Sequence, residues 1–405
     1  MGRTSIFMVI GFSTIFLIAG KNMSDVGVLS LTNAINYYEH TQLNTISVAG
    51  ANLACCQLFQ SSTWRTGFSN LSFGGGTINV TVTDISGSKV QIVSTGTYQS
   101  TTTQVVVIMV PSSFAKFAFY GGVHASAAMW ETGDTIGGPN HTQGRLKTWG
   151  APVFMGKTTA LSGLTMAGSR PPNPVFMGGF ESGVSVAQPA VTSYTAIYTA
   201  ASTGGHAQTS GDLFVIFNAD GTVQWKTSAA GTYTTTSLST FAPNGIIAID
   251  QGVLHVQGSV PGRVTLASTR IPPATTGGTV EIMNDLVLRT DPKTNPTSTD
   301  FLGVVAYGDI TVKDNLATEF NLQGSFYSAT GGLQVEHGTT RPAGMLRLYG
   351  GLMVDALYGT SNGATGSSRR GYNLRTDFDT RLADVANAPK YFPVTTAFEI
   401  LSWLE

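Results

Sequence analysis

The sequence predicts an α+β fold, mostly β: one long N-terminal α-helix, then an antiparallel β-meander and a β-solenoid or β-sandwich-like head. Three observations carry this. The chain holds no proline before Pro111, and its first sixty residues show apolar positions at helical spacing. Beyond Phe59 the period changes to the alternation of strands. The 48 glycines, with abundant threonine and serine, suit short strands and tight turns better than helices.

The helix is expected over residues 1–59. Its first part, 4–20 (TSIFMVIGFSTIFLIAG), is uncharged and flanked by Arg3 and Lys21. That length sits at the short edge of the roughly 17–25 residues that span a bilayer. An amphipathic part, 21–59, follows. Val28, Leu31, Ile35, Tyr38, Ile46, Ala49, Leu53 and Cys56 step by three and four, with Gln42 at the missing step, and are expected to pack the helix on the head. At about 1.5 Å per residue the helix would be roughly 85 Å long, several times the usual length in a globular domain. The run MGR plus apolar residues resembles a secretory signal. The region around Ile18, Ala19 and Gly20 is a poor small-x-small cleavage site, however, and the helical pattern continues for about forty residues, so a retained helix is expected.

Residues 60–110 are expected to form an antiparallel meander packed on the helix. Its strands are Thr77–Val82, Lys89–Ser94 and Thr102–Val110, the last apolar on both faces and therefore central. Residues 111–405 read as a glycine-rich β head. Short segments such as 245–250 (GIIAID), 252–257 (GVLHVQ) and 263–268 (RVTLAS) look like successive rungs, and a solenoid is expected around 245–354. Segments 169–174 (SRPPNP) and 271–278 are expected loops, and 195–210 a loop or strand pair. A tail, 371–405, is richer in charge and aromatic residues.

A hydrophobic N-terminal helix that turns amphipathic and carries a β-rich head resembles the type IV pilin architecture. Ser5 stands where that family usually carries glutamate. The segments HTQGRLKTWGAPVFMGK, FLGVVAYGDITVKDN and YFPVTTAFEILSWLE also resemble an uncharacterised family of bacterial envelope proteins with a pilin-like N-terminus. The pilin resemblance implies inner-membrane residence before assembly, then packing against copies of the same chain. Ile6, Phe7, Val9, Ile10, Phe12, Ile15, Phe16, Leu17 and Ile18 would be the polymerisation surface, with Gly11, Ser13, Ala19 and Gly20 allowing close helix approach.

Chemistry is sparse. Net charge is −1, which gives no electrostatic footprint for nucleic acid. The six histidines are scattered with no HExxH, so no metal site is expected, and no cofactor motif occurs. The stretch 150–158 (GAPVFMGKT) imitates a phosphate loop, but five residues separate its glycines and it reads as a turn and strand. Adjacent Cys55 and Cys56 are expected as buried thiols. Asp134, Asp300 and Asp309 could serve a glycan-cleaving carboxylate pair, yet each adjoins a turn, where aspartate commonly bonds the backbone. Trp130, Trp149, Trp225 and Tyr307 could form a sugar-binding stripe, against the commoner reading of core aromatics. Asn70, Asn79 and Asn140 lie in sequons that arise readily by chance. The leading expectation is a non-enzymatic structural subunit of an extracellular helical filament, its partner being itself. The alternative is a membrane-anchored surface adhesin or glycan-binding protein whose helix is a tether.

Overall fold

The computed structural model describes residues 2–85, 89–124, 128–167, 173–188, 194–362 and 368–405. Residues 169–172 of the expected loop SRPPNP lie outside the described residues. The chain forms two compact units, one of residues 1–111 with 397–405, the other of residues 112–396. Residues 397–405, expected in the head, belong instead to the unit of the helix.

In the first unit, helix α1 (Gly2–Gln60) is unbroken over 59 residues. Strands β1 (Phe68–Phe73), β2 (Gly76–Ile85), β3 (Lys89–Tyr98) and β4 (Thr101–Ser113) pair in sequence order, with antiparallel register from β1 through β4. Gly74 and Gly75, both at positive φ, make the two-residue turn between β1 and β2. The C-terminal strand Val394–Leu404 pairs beyond β4, so the sheet has five strands rather than three. A neighbour on each edge makes β4 an interior strand, and its burial still alternates, with Val105, Val107 and Met109 buried and Val106 and Ile108 half-buried. Alternate residues of the sheet (Ile78, Val80, Val82, Val90, Ile92, Val105, Val107 and Met109) meet the C-terminal third of α1 and Phe398 in one core.

The helical stripe that packs here is not the expected one. Leu43, Ile46, Ser47, Gly50, Ala51, Ala54, Cys55 and Leu58 are buried. Val28, Leu31, Ile35, Tyr38, Leu53 and Cys56 are exposed, Ala49 is half-buried, and only Ile46 of the predicted set is fully covered. Size, not apolarity alone, selects the face. A Cβ on Gly50 would lie 2.4 Å from the Ile78 side chain, and one on Gly96 would lie 2.8 Å from the Ser47 backbone nitrogen. The Ser94 hydroxyl donates to the Ser47 carbonyl at 2.7 Å across the same seam. A stripe of glycine, alanine and serine lets the backbones approach, while bulkier Leu53 is turned outward.

The second unit is a parallel β-solenoid, and its stacking order differs from its chain order. One ladder runs through His206–Gln208, Ile246–Asp250, Arg263–Thr269, Phe301–Ala306 and the second halves of Glu319–Ser328 and Gly344–Ala356. The next rung is Phe119–His124, followed by Asn140–Thr142, Thr158–Ala160 and Phe180–Ser182. The chain therefore enters mid-stack, winds outward through residue 182, returns to the far end and winds back. Two backbone seams join the runs: Leu352 to Val354 against Phe119 to Gly121, and Arg375 to Asp377 against Thr135 to Gly137. The parallel ladder thus extends on both sides of the expected 245–354, and the sandwich alternative does not apply.

The return path covers the outer face of this ladder. Gln143 accepts from the Val186 amide at 2.8 Å, Tyr120 donates to the Val186 carbonyl at 2.8 Å, and Gln188 donates to the Ala329 carbonyl at 2.7 Å. Helix α2 (Tyr194–Gly204), in a region expected to be a loop or strand pair, then buries Tyr194, Ile197, Ala200 and Ala201 against Ile246, Ala248, Ala267 and Val305. Its three alanines favour a helix and its threonines and tyrosines do not, so the apolar surface it covers decides its conformation. Phe392 and Leu382 of the C-terminal region join the same cluster. Strands of this ladder are consequently buried on both faces, as at Ile246–Asp250 and Phe301–Ala306.

Gly96→Ala introduces a Cβ against the Ser47 backbone, with no flexible side chain to yield. The expected loss is about 1–3 kcal/mol for the helix–sheet unit, read as a lowered urea midpoint. An unchanged midpoint would refute the close-approach account of the stripe.

Candidate functional site

No side chain from Thr4 to Tyr38 is buried in the chain by itself. Phe7 and Leu17 are each 75% exposed and Phe16 73%, with Ile6, Val9, Ile10, Phe12, Ile15 and Ile18 also open. Such exposure is ordinary for a lone residue and exceptional for a continuous surface of this length. Two hydroxyls on it bond back to the helix: Thr14 donates to the Ile10 carbonyl at 2.8 Å and Thr32 to the Val28 carbonyl at 2.9 Å. Each threonine then presents chiefly its methyl group outward, which keeps the surface apolar. The helix carries a window of mean hydropathy 1.7, long and apolar enough to cross a membrane. Nearer the head, Tyr37, His40, Thr41, Asn44, Thr101 and Glu405 line an open cleft of about 530 Å³, which sequence periodicity gave no means of finding.

The aspartates considered for catalysis are engaged in the solenoid. Asp300 accepts from the Gly262 amide at 2.6 Å and the Thr290 amide at 3.0 Å. Asp309 accepts from the Gly332 amide at 3.0 Å and from the Gln334 side chain. Asp134 accepts from the Glu131 amide at 2.9 Å and, across the seam between the two runs, from the Leu374 amide at 2.9 Å. Each carboxylate ties one coil to another through backbone N–H groups. Burial raises the Asp134 carboxyl to about 6, opposed by these two amides.

The aromatic residues do not line up either. Trp130 is buried edge-on to Phe119, with ring centroids 4.8 Å apart, inside the coil. Trp225 packs on Phe241 in that same interior cluster, Tyr307 borders the outer cluster beside Tyr194, and Trp149 is exposed. His141 is buried between Thr159 and Gln143 at 2.8 and 2.9 Å, and burial holds its pKa below the usual value. His206 stacks on Phe241 at 4.0 Å, and His255 stacks on Phe214 at 4.0 Å with Glu281 3.0 Å away. Among the described residues no group of three histidine, cysteine or acidic side chains could hold a metal ion. Cys55 is buried, with its thiol pushed up to about 11 by desolvation, whereas Cys56 is exposed, contrary to the expected pair of buried thiols. Asn140 of the third sequon is buried and donates to Thr158 at 2.9 Å.

No family model matches this chain, and no curated protein matches it in sequence. Among solved structures it is similar to the competence-associated pilin ComZ from Thermus thermophilus, at 13% identity and a TM-score of 0.38, over 90% of this chain and 96% of that one. Likeness at that level does not establish a shared fold, so the functional reading rests on the residues of this chain.

Asp134 makes a pH test of the seam. Its carboxyl is raised in the folded state relative to the ordinary 3.8, so the folded chain holds this proton more tightly than the unfolded one. That contribution is fully present below about 3.8 and is lost as pH rises through about 6. Denaturant titrations between pH 7 and pH 4 should show this increment, and Asp134→Asn should remove it. Asp134→Ala orphans two buried amides and is expected to cost about 2–4 kcal/mol at pH 7.

Proposed function

We propose that this chain is a structural subunit of a type IV pilus-like helical filament, polymerising through residues 4–38 of α1, with the β head outermost. The observation that carries the reading is the uncovered apolar helix. Fully burying one large aliphatic or aromatic side chain is worth about 1.5–3 kcal/mol. Nine such residues, Ile6, Phe7, Val9, Ile10, Phe12, Ile15, Phe16, Leu17 and Ile18, each 53–75% exposed, therefore leave on the order of 10–20 kcal/mol unrealised in an isolated chain. A lipid bilayer supplies that cover before assembly, and copies of the same helix supply it afterwards. Contact between two different surfaces of one subunit propagates as an open helical polymer instead of closing.

The head supports a scaffold role over a catalytic one. The carboxylates considered for catalysis, Asp134, Asp300 and Asp309, are committed to backbone amides of neighbouring coils, and the sparse charge of the head suits an outer sheath. In this reading the filament is extracellular, and the subunit resides in the inner membrane until it is assembled.

Negative-stain microscopy of native material should show fibres, and Ile10→Asp should abolish them while the head still folds. Fibres of normal length from the variant would refute the core role of the helix. Separate particles from the native chain would favour a tethered adhesin.

A further inference from the structure

The turns that lead into two paired rungs of the solenoid, Ile246–Asp250 and Arg263–Thr269, border an open cleft of about 400 Å³. That volume is within the range of small-molecule sites. Leu238, Pro243 and Pro261 give it aliphatic walls, and Arg263, Arg289 and Lys390 also line it. Among the described residues that line it there is no acidic side chain. Three cations without an acid are a local excess in a chain whose net charge is −1.

Each cation is held in place by a group that leaves most of its charge unspent. The Arg263 guanidinium lies on the Phe301 ring, 4.8 Å from its centroid, and donates to the Ala386 carbonyl at 2.8 Å. Lys390 donates to the Asn244 carbonyl at 3.1 Å. Arg289 is 3.6 Å from Asp300, but that carboxylate is buried and already accepts from the Gly262 and Thr290 amides. Arg381 makes the contrast: it lies on the same Phe301 ring at 4.3 Å, and Asp379 neutralises it at 2.6 Å. Among the described residues neither Arg263 nor Lys390 has a carboxylate partner. Asp220, next in sequence to the lining residue Gly221, is bonded to the Thr222 amide and hydroxyl at 2.9 and 2.7 Å.

We infer that this cleft binds a ligand of small-molecule size that carries two or more oxyanion groups, carboxylate or phosphate, shared among Arg263, Arg289 and Lys390. Guanidinium forks match the geometry of both groups and can bind them through two parallel hydrogen bonds. A carbonyl or a ring face fixes a cation without cancelling its charge, so less side-chain freedom is lost when the anion arrives. A single monovalent ion would fill little of the cleft and engage one cation, whereas a multivalent ligand bridges several. The aliphatic walls suit its carbon skeleton. No aromatic side chain is among the described lining residues, so a nucleobase has no ring to stack on, and recognition falls to the anionic groups. The site is complete within one chain and goes beyond the filament reading, on which it does not depend.

The test is titration calorimetry on the full-length chain in a nonionic detergent that covers α1, with citrate, pyrophosphate and trigalacturonate as probes and acetate as the monovalent control. At least one multivalent probe should bind one per chain, with a Kd below about 1 mM, and acetate should not. Preference for pyrophosphate would identify phosphate as the recognised group, and preference for citrate or trigalacturonate would identify carboxylate. Arg263→Gln and Lys390→Gln should each weaken binding about tenfold with the urea midpoint unchanged, while Lys157→Gln, elsewhere on the solenoid, should leave it as it was. Raising the ionic strength from about 0.05 M to about 0.5 M should weaken it several-fold. The comparison of multivalent probes with acetate needs no variant to fold. Failure of all three probes to bind, acetate binding as strongly as they do, or affinity unchanged in both cleft variants would overturn the inference.

Discussion

A sheet of five strands is about 20–25 Å across, and a helix of 59 residues is close to 90 Å long. The uncovered surface of the molecule is a consequence of that mismatch. The sheet covers the segment from Leu43 to Leu58, where Gly50, Ala51 and Ala54 allow backbone-close packing. Residues 4–38 are left without intramolecular cover. Since no proline or turn signal interrupts it, the helix does not fold back on itself. Its uncovered length is a property of the chain that only something outside the chain can satisfy.

The solenoid solves a different problem. Parallel coils bury their interior by stacking, but every rung needs a neighbour, and a chain that starts in the middle must be joined non-covalently where its two runs meet. The seam is closed by two short parallel ladders and by Asp134, whose carboxylate reaches the Leu374 amide. The segment returning between the ends is put to use: Val186, Gln188 and α2 cover the ladder that would otherwise expose apolar residues on its outer face. Asp134, Asp300 and Asp309, the acidic groups considered for glycan cleavage, hold adjacent coils together through backbone amides.

Much of this is legible in the amino-acid order. The continuous helix, the alternation in β2 and β3, and the rungs around 245–354 show in periodicity alone. Strands apolar on both faces, such as 246–250 and 301–306, signal double-sided burial before any partner is known. Helix α2 is not legible, because its alanine, threonine and serine residues carry no strong period and its helicity depends on the surface it covers. The packing stripe of α1 is legible only in part, because apolarity points to one face where residue size decides for another. Leu53 is more hydrophobic than Gly50, but only the smaller residue admits the sheet.

By itself the sequence determined that an uncharged apolar helix precedes a β-rich, low-charge body, since hydrophobic period and proline placement are local properties. Tertiary structure alone decided which helical face meets the sheet, that the solenoid is stacked out of chain order, and that Asp134, Asp300 and Asp309 serve backbone amides. Those outcomes depend on contacts between residues as much as 240 positions apart, as with Asp134 and Leu374, and no local pattern encodes them.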